Sequence, residues 1–152
     1  MTKRVVHWVE GKFYDEPGDP REFYNSMFTA VNFCRQGYVE AGQEPISTAE
    51  AITRLLGSDL TMVIGKTFVA WFDKVEPWFV TDGYICEELF GPRPGQTVDL
   101  EDFIAAGVAL GREEGCRYFE FGTRANTRQQ ALARMCRRFD VRLAAITLQK
   151  DI

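Results

Sequence analysis

The chain has 152 residues, of which 45% are hydrophobic and 13% aromatic, and a formal charge of −4. That is long enough to bury a two- or three-layer core without disulfides or metals, and the balance of apolar and charged residues excludes a disordered, collagen-like or coiled-coil chain. No apolar run approaches the roughly 18 residues of a membrane span. The amino-terminal stretch MTKRVVHWVEGK has no apolar run followed by a small-residue cleavage site, so no signal peptide is expected. A pI near 5.1 argues against general nucleic-acid binding. One soluble, cytoplasmic domain over residues 1–152 is the expectation.

In chain order, residues 4–14 are rich in β-branched and aromatic types and predict a strand or hairpin. Asp15–Asp19 is a loop. Asp19, Pro20 and Glu22 then read as N-cap, first helical residue and capping box, with Phe23, Met27, Val31 and Cys34 at helical spacing and Gly37 as the stop. Ser47 and Glu50 form a second capping box, for a helix over 48–56 closed by Gly57. Leu60–Ile64 and Thr67–Phe72 read as strands around a Gly65-Lys66 turn. Asp73–Pro77 reads as a turn, and Trp78–Phe90 as strand interrupted at Asp82-Gly83. Gly91–Thr97, with two prolines and two glycines, is expected to be irregular. Asp99 caps a helix to about Glu114, ended by Gly115. Cys116–Phe121 is a short strand. Asn126 and Gln129 open a helix to about Phe139, with Leu132, Met135, Cys136 and Phe139 on one face, and Val141–Leu148 is a last strand. The order β, α, α, β, β, β, α, β, α, β predicts an α/β (α+β) fold, a mixed sheet flanked by about four helices.

The four cysteines, Cys34, Cys86, Cys116 and Cys136, fall in apolar segments with no CxxC spacing, which predicts buried thiols rather than a metal site. The one histidine, His7, has no second histidine to build a ligand set or relay with. Charge is unevenly placed. Residues 115–150 carry seven arginines and Lys150 against Glu120 and Asp140, so this stretch is +6 and the remainder is −10. The arginines of the last helix do not form one row, which fits a solvated face or a protein-contact surface better than a nucleic-acid track. Trp71 and Trp78 are candidates for core or interface.

The element order, with a glycine-bearing loop between the central strand and the third long helix, resembles the GNAT acyltransferase fold. Tyr84–Phe90 (YICEELF) is similar to the family's central strand, Glu113–Glu120 to its helix end and fifth strand, and Ala131–Val141 to the helix that carries its catalytic tyrosine. The resemblance implies that Glu87 or Glu88 would be the general base toward an amine. It implies further that Arg93, Gly95, Gln96 and Thr97 would hold the diphosphate of acetyl-CoA, Arg124 or Arg128 its 3′-phosphate, and that Cys136 would stand where a tyrosine commonly protonates the leaving thiolate. The sequence departs from the family pattern at these places. The second loop glycine is missing, Pro92 and Pro94 carry no N–H, and Asp99, Glu101 and Asp102 crowd the helix start where backbone amides would face phosphates. With Pro77–Asp82, the pattern also resembles small GNAT-like proteins of T7-type podoviruses, which are associated with virion assembly. The expectation is a domain with an eroded acyl-CoA site and no cofactor, binding a virion or host protein in the host cytoplasm or the particle. The alternative is an active acetyl-CoA-dependent N-acyltransferase.

Overall fold

A computed structural model describes residues 4–76, 78, 83–122, 126–142 and 149–152. It is a six-stranded mixed sheet with helices on both faces, as the pattern predicts. The strands are β1 (Val5–Val9), β2 (Lys12–Asp15), β3 (Thr61–Ile64), β4 (Phe68–Val75), β5 (Tyr84–Pro92) and β6 (Tyr118–Glu120), in spatial order β2-β1-β3-β4-β5-β6. The helices are α1 (Tyr24–Glu40), α2 (Thr48–Leu56), α3 (Leu100–Glu113) and α4 (Asn126–Cys136), with 3-10 turns at Pro20–Phe23 and Arg137–Phe139. β1 pairs in parallel with β3, and β5 in parallel with β6; the other pairings are antiparallel.

The sequence of β4 explains its central place. Phe68 to Phe72 are all buried, because both faces of the strand are covered. Phe68, Ala70 and Phe72 join Val6, Trp8, Val63, Ile85 and the α3 residues Phe103, Ala106 and Leu110 in one core layer. Val69 and Trp71 join Met62, Ile64 and the α1 and α2 residues Met27, Ala30, Val31 and Ile52 in the other. Alternation along the strand therefore decides which helix layer each side chain meets.

The helix ends follow local chemistry. Ser47 Oγ accepts from Glu50 N at 3.2 Å, and Asp99 Oδ1 accepts from Asp102 N at 3.2 Å. α3 closes at Gly115, which is left-handed (φ +71°), with Cys116 N bonded to Gly111 O and Gly115 N to Arg112 O.

Four expectations are corrected. α1 does not stop at Gly37 but continues to Glu40. The stop is Gly42 (φ +78°), where Gln43 N reaches Tyr38 O and Gly42 N reaches Val39 O, so the termination geometry lies five residues later. Asp19 does cap, accepting from Arg21 N, but Pro20–Phe23 form a 3-10 turn, in which Glu22 N bonds Asp19 O three residues back. Asp73–Val75 are not a turn; they extend β4 and pair with Tyr84–Cys86. Gly91 and Pro92 are not irregular. They are the last residues of β5, paired with Val69 and Phe68. Most of the expected strand at Val141–Leu148 lies outside the described residues.

Candidate functional site

The candidate residues divide among three places. β5 carries Glu87 and Glu88, the β5–α3 loop carries Arg93 to Thr97, and α4 carries Arg128 and Cys136.

Strand alternation breaks at the two glutamates. Trp71 pairs with Leu89, but Phe72 pairs with Glu87, so β5 carries one extra residue there, Glu88. Glu87 lies opposite Phe72, on the α3 side, is half-buried, and accepts from Gly122 N at 3.2 Å. Glu88 is exposed. Among the described residues β6 pairs only with Tyr84–Cys86, so Glu87 sits where β5 and β6 stop pairing. On the α3 side of that parting, Phe90 stacks on Phe103 with centroids 4.2 Å apart, and Phe119 on Phe121 at 5.2 Å. Phe103 meets Phe121 edge-on at 5.4 Å, so the four rings form one packed cluster.

The β5–α3 loop is built as a tight turn. Arg93 O accepts from Gln96 N at 3.0 Å, Pro94 takes the second position and Gly95 the third, at φ +71°. This is a type II turn, which needs a residue tolerant of positive φ at that third position. Arg93 N bonds Thr67 O at 3.0 Å, and Asp99 N bonds Thr67 Oγ1 at 3.0 Å. The Arg93 guanidinium donates to Gly65 O at 3.1 Å, in the β3–β4 turn. Gln96 and Thr97 are exposed. At the start of α3, Asp102 N is taken by the Asp99 side chain, and Phe103 N bonds Asp99 O at 2.9 Å. Three acids, Asp99, Glu101 and Asp102, stand at this terminus, where they suit the helix dipole. An added anion 4 Å from one of these carboxylates is opposed by about 4 kcal/mol at an effective dielectric of 20.

Cys136 is 1% exposed and packs in the α3-side core. Burial raises its thiol above the ordinary value, partly offset by Arg138. Cys34 and Cys116 are half-buried, a correction to the expectation of buried thiols: Cys116 packs against the α3-side core from its edge, and Cys34 Sγ donates to Phe90 O on β5. Arg128 lies in α4, with only its backbone described, and Arg124 lies outside the described residues. The structure therefore joins Arg93–Thr97 to the α3 start and buries Cys136 away from solvent. Trp71 is fully buried, whereas Trp78 is 95% exposed.

A cleft of about 680 Å³ opens where β1 and β3 end, beside the first turn of α3. His7, Trp8, Lys66, Arg93 and Asp102 line it. No local motif marks this place in the sequence, because parallel pairing joins Val5–His7 to Met62–Ile64 across more than 50 residues. Within it Trp8 Nε1 donates to Asp102 Oδ1, and His7 Nε2 pairs with Glu16 Oε2. No group of three or more His, Cys, Asp or Glu able to hold a metal is present among the described residues. No helix among them is long and apolar enough to cross a membrane.

No protein-family model, curated protein or solved structure matches the chain.

Proposed function

We propose that the chain is a GNAT-like domain whose acyl-CoA site is eroded and which works by binding a protein rather than by catalysis. The observation that carries this reading is the commitment of four amides of the β5–α3 loop and helix start to protein oxygens, beside three acids. Arg93 N, Gln96 N, Asp99 N and Asp102 N all bond to protein oxygens, and Pro92 and Pro94 have no N–H to give. A diphosphate cradle needs such amides turned outward beside a positive helix end. Here Asp99, Glu101 and Asp102 occupy that end. The packed Phe90, Phe103, Phe119 and Phe121 rings support the same reading, since they fill the α3 side of the β5–β6 parting.

The proposed partner is a virion or host protein, in keeping with the resemblance to podoviral assembly proteins, and the site of action is the host cytoplasm or the particle. Arg134, Arg137, Arg138 and Arg142 are all exposed and offer the basic part of a contact surface, while the rest of the chain is acidic. Neither acetyl-CoA nor nucleic acid is part of this reading.

One observation favours the alternative, an acetyl-CoA-dependent N-acyltransferase. Glu87 and the extra residue Glu88 lie at the parting of two parallel strands, and bulges are over-represented beside active sites. In that reading one of them takes the amine proton through water, the amine attacks the thioester carbonyl, and water or Cys136 protonates the departing thiolate.

Thermal unfolding with and without acetyl-CoA separates the two. A ligand at 100 times its dissociation constant stabilises by about 2.7 kcal/mol, which raises the midpoint by roughly 5–10 °C in a chain of this size. The binding-protein reading predicts no shift at 1 mM acetyl-CoA (about 100 times a 10 µM dissociation constant).

A further inference from the structure

We propose that the outer face of α3 is a self-association surface, through which two copies of the chain pair antiparallel about a two-fold axis midway between Ala105 and Val108. α3 presents Phe103, Ala106, Gly107, Leu110 and Gly111 to the sheet, all buried. The opposite stripe, Glu101, Ala105, Val108 and Arg112, recurs at i, i+4, i+7 and i+11, so it forms one face of the helix. Glu101, Ala105 and Arg112 are exposed and Val108 is half-buried. This stripe lines an open groove of about 580 Å³ together with Trp8 and Phe139.

The stripe is evenly spaced about its centre, with small or apolar residues inside and opposite charges at its two ends. Glu101 and Arg112 are equally far from the midpoint, and so are Ala105 and Val108. An antiparallel second copy therefore sets each Glu101 against Arg112 of the other copy, and each Ala105 against the other Val108. A parallel arrangement would set Glu101 against Glu101 and Arg112 against Arg112, which is repulsive. The antiparallel arrangement also opposes the two helix dipoles. An interface in which the same patch meets itself closes as a dimer.

The charges at the ends are available for this. Neither Glu101 nor Arg112 forms an ion pair among the described residues, although their neighbour Glu113 is engaged by Arg4 at 3.0 Å. Arg138 also lines the groove, its guanidinium carbon 4.7 Å from the Phe139 ring centroid, and adds a second cation to it. Ala105 has a side chain small enough for two helices to approach within the usual 8–10 Å. Charge self-complementarity thus selects a second copy of this chain over a lipid or a nucleic acid, each of which offers charge of one sign along the groove. The inference stands independently of whether acetyl-CoA binds.

Sedimentation velocity on the full chain tests it, using wild type, Glu101→Arg, Arg112→Glu and the double variant. Circular dichroism confirms that each is folded, as expected for exposed positions. A reversible dimer is expected in wild type, weaker at 0.5 M than at 0.05 M salt because the end contacts are screened at high ionic strength, where the Debye length falls to several Å. Two-fold symmetry makes each single substitution turn two attractive pairs repulsive, so each raises the dissociation constant by about tenfold or more. The double variant restores it to within about threefold of wild type. Ala105→Arg, which sets like charges near the axis, abolishes the dimer without disturbing the fold. A wild-type chain that stays monomeric up to about 0.2 mM overturns the proposal. So does a dimer whose strength is indifferent to the single substitutions, or one that the double variant fails to restore.

Discussion

Trp8 Nε1 donates to Asp102 Oδ1 at 2.8 Å, a bond that joins the second-from-edge strand to the first turn of α3 across 94 residues. The bond lies in the cleft that both residues line, so water can reach the indole N–H once Asp102 is removed. Asp102→Ala is therefore expected to destabilise by about 1.5–3 kcal/mol, the net worth of a hydrogen bond to a charged group. Asp102→Asn keeps an acceptor oxygen and loses only the favourable charge at the helix start, about 0.3–1 kcal/mol. Urea unfolding of both variants checks the order; equal losses would assign the effect to charge rather than to the hydrogen bond.

Gly91→Ala is expected to cost about 1–3 kcal/mol or more, at the upper end of overpacking substitutions. A Cβ there would lie 2.6 Å from Ala30 O and 2.7 Å from Ala30 Cα, both backbone atoms of α1. Neither can turn aside as a flexible side chain can, so α1 must lift from β5. Gly95→Ala differs in cause. Nothing lies within 4 Å of its would-be Cβ, and the cost comes from positive φ alone. Thermal midpoints should fall further for Gly91→Ala than for Gly95→Ala.

Acid unfolding should carry the signature of Glu16. The side-chain hydrogen bond with His7, and then the Gly18 N–H, hold the Glu16 carboxyl below its ordinary value of 4.5. A carboxyl depressed in the folded state contributes stability that is present above the unfolded value and lost as pH falls through the folded one. Glu16→Gln should therefore differ most from wild type at pH 6, and the two should converge as pH drops below the folded value. Urea midpoints across that range check it. A gap that stays constant with pH would show that Glu16 acts through packing alone.

The Cys34 thiol should resist alkylation in the folded chain. Its Sγ–H donates to Phe90 O at 2.8 Å, and burial, with Glu87 adding to the effect, pushes its pKa up to about 12. The thiolate, which is the reactive form, is then scarce at pH 8. Mass-mapped iodoacetamide labelling should modify Cys34 in urea and leave it intact in native buffer; rapid native labelling would contradict the placement of α1 on β5.

Much of the fold is legible where local chemistry governs it. The Ser47–Glu50 and Asp99 caps, the Gly115 stop and the continuous apolar run of β4 each state a rule that the structure follows. Local sequence misleads where two local rules compete or where partners are remote. Gly37 offers a stop inside α1, yet it stays helical and the left-handed stop falls at Gly42. Asp73 and Lys74 look like turn residues, but cross-strand pairing with β5 holds them extended. The β5–α3 loop is legible as an unusual sequence, and its two prolines and three acids are what set it apart from a phosphate cradle. What local sequence does not carry is that Arg93 turns to Gly65, or that Trp8 and Asp102 meet, because both depend on parallel pairing of distant strands.

Calorimetric titration of the full chain with acetyl-CoA tests the central claim, that the β5–α3 loop commits the Arg93, Gln96, Asp99 and Asp102 amides to protein oxygens and sets three acids where a diphosphate would sit. The account predicts no saturable heat up to about 1 mM ligand, which corresponds to binding weaker than about −4 kcal/mol. Saturable one-to-one binding at micromolar acetyl-CoA, abolished by Gly95→Pro in the loop, would contradict it and favour the acyltransferase.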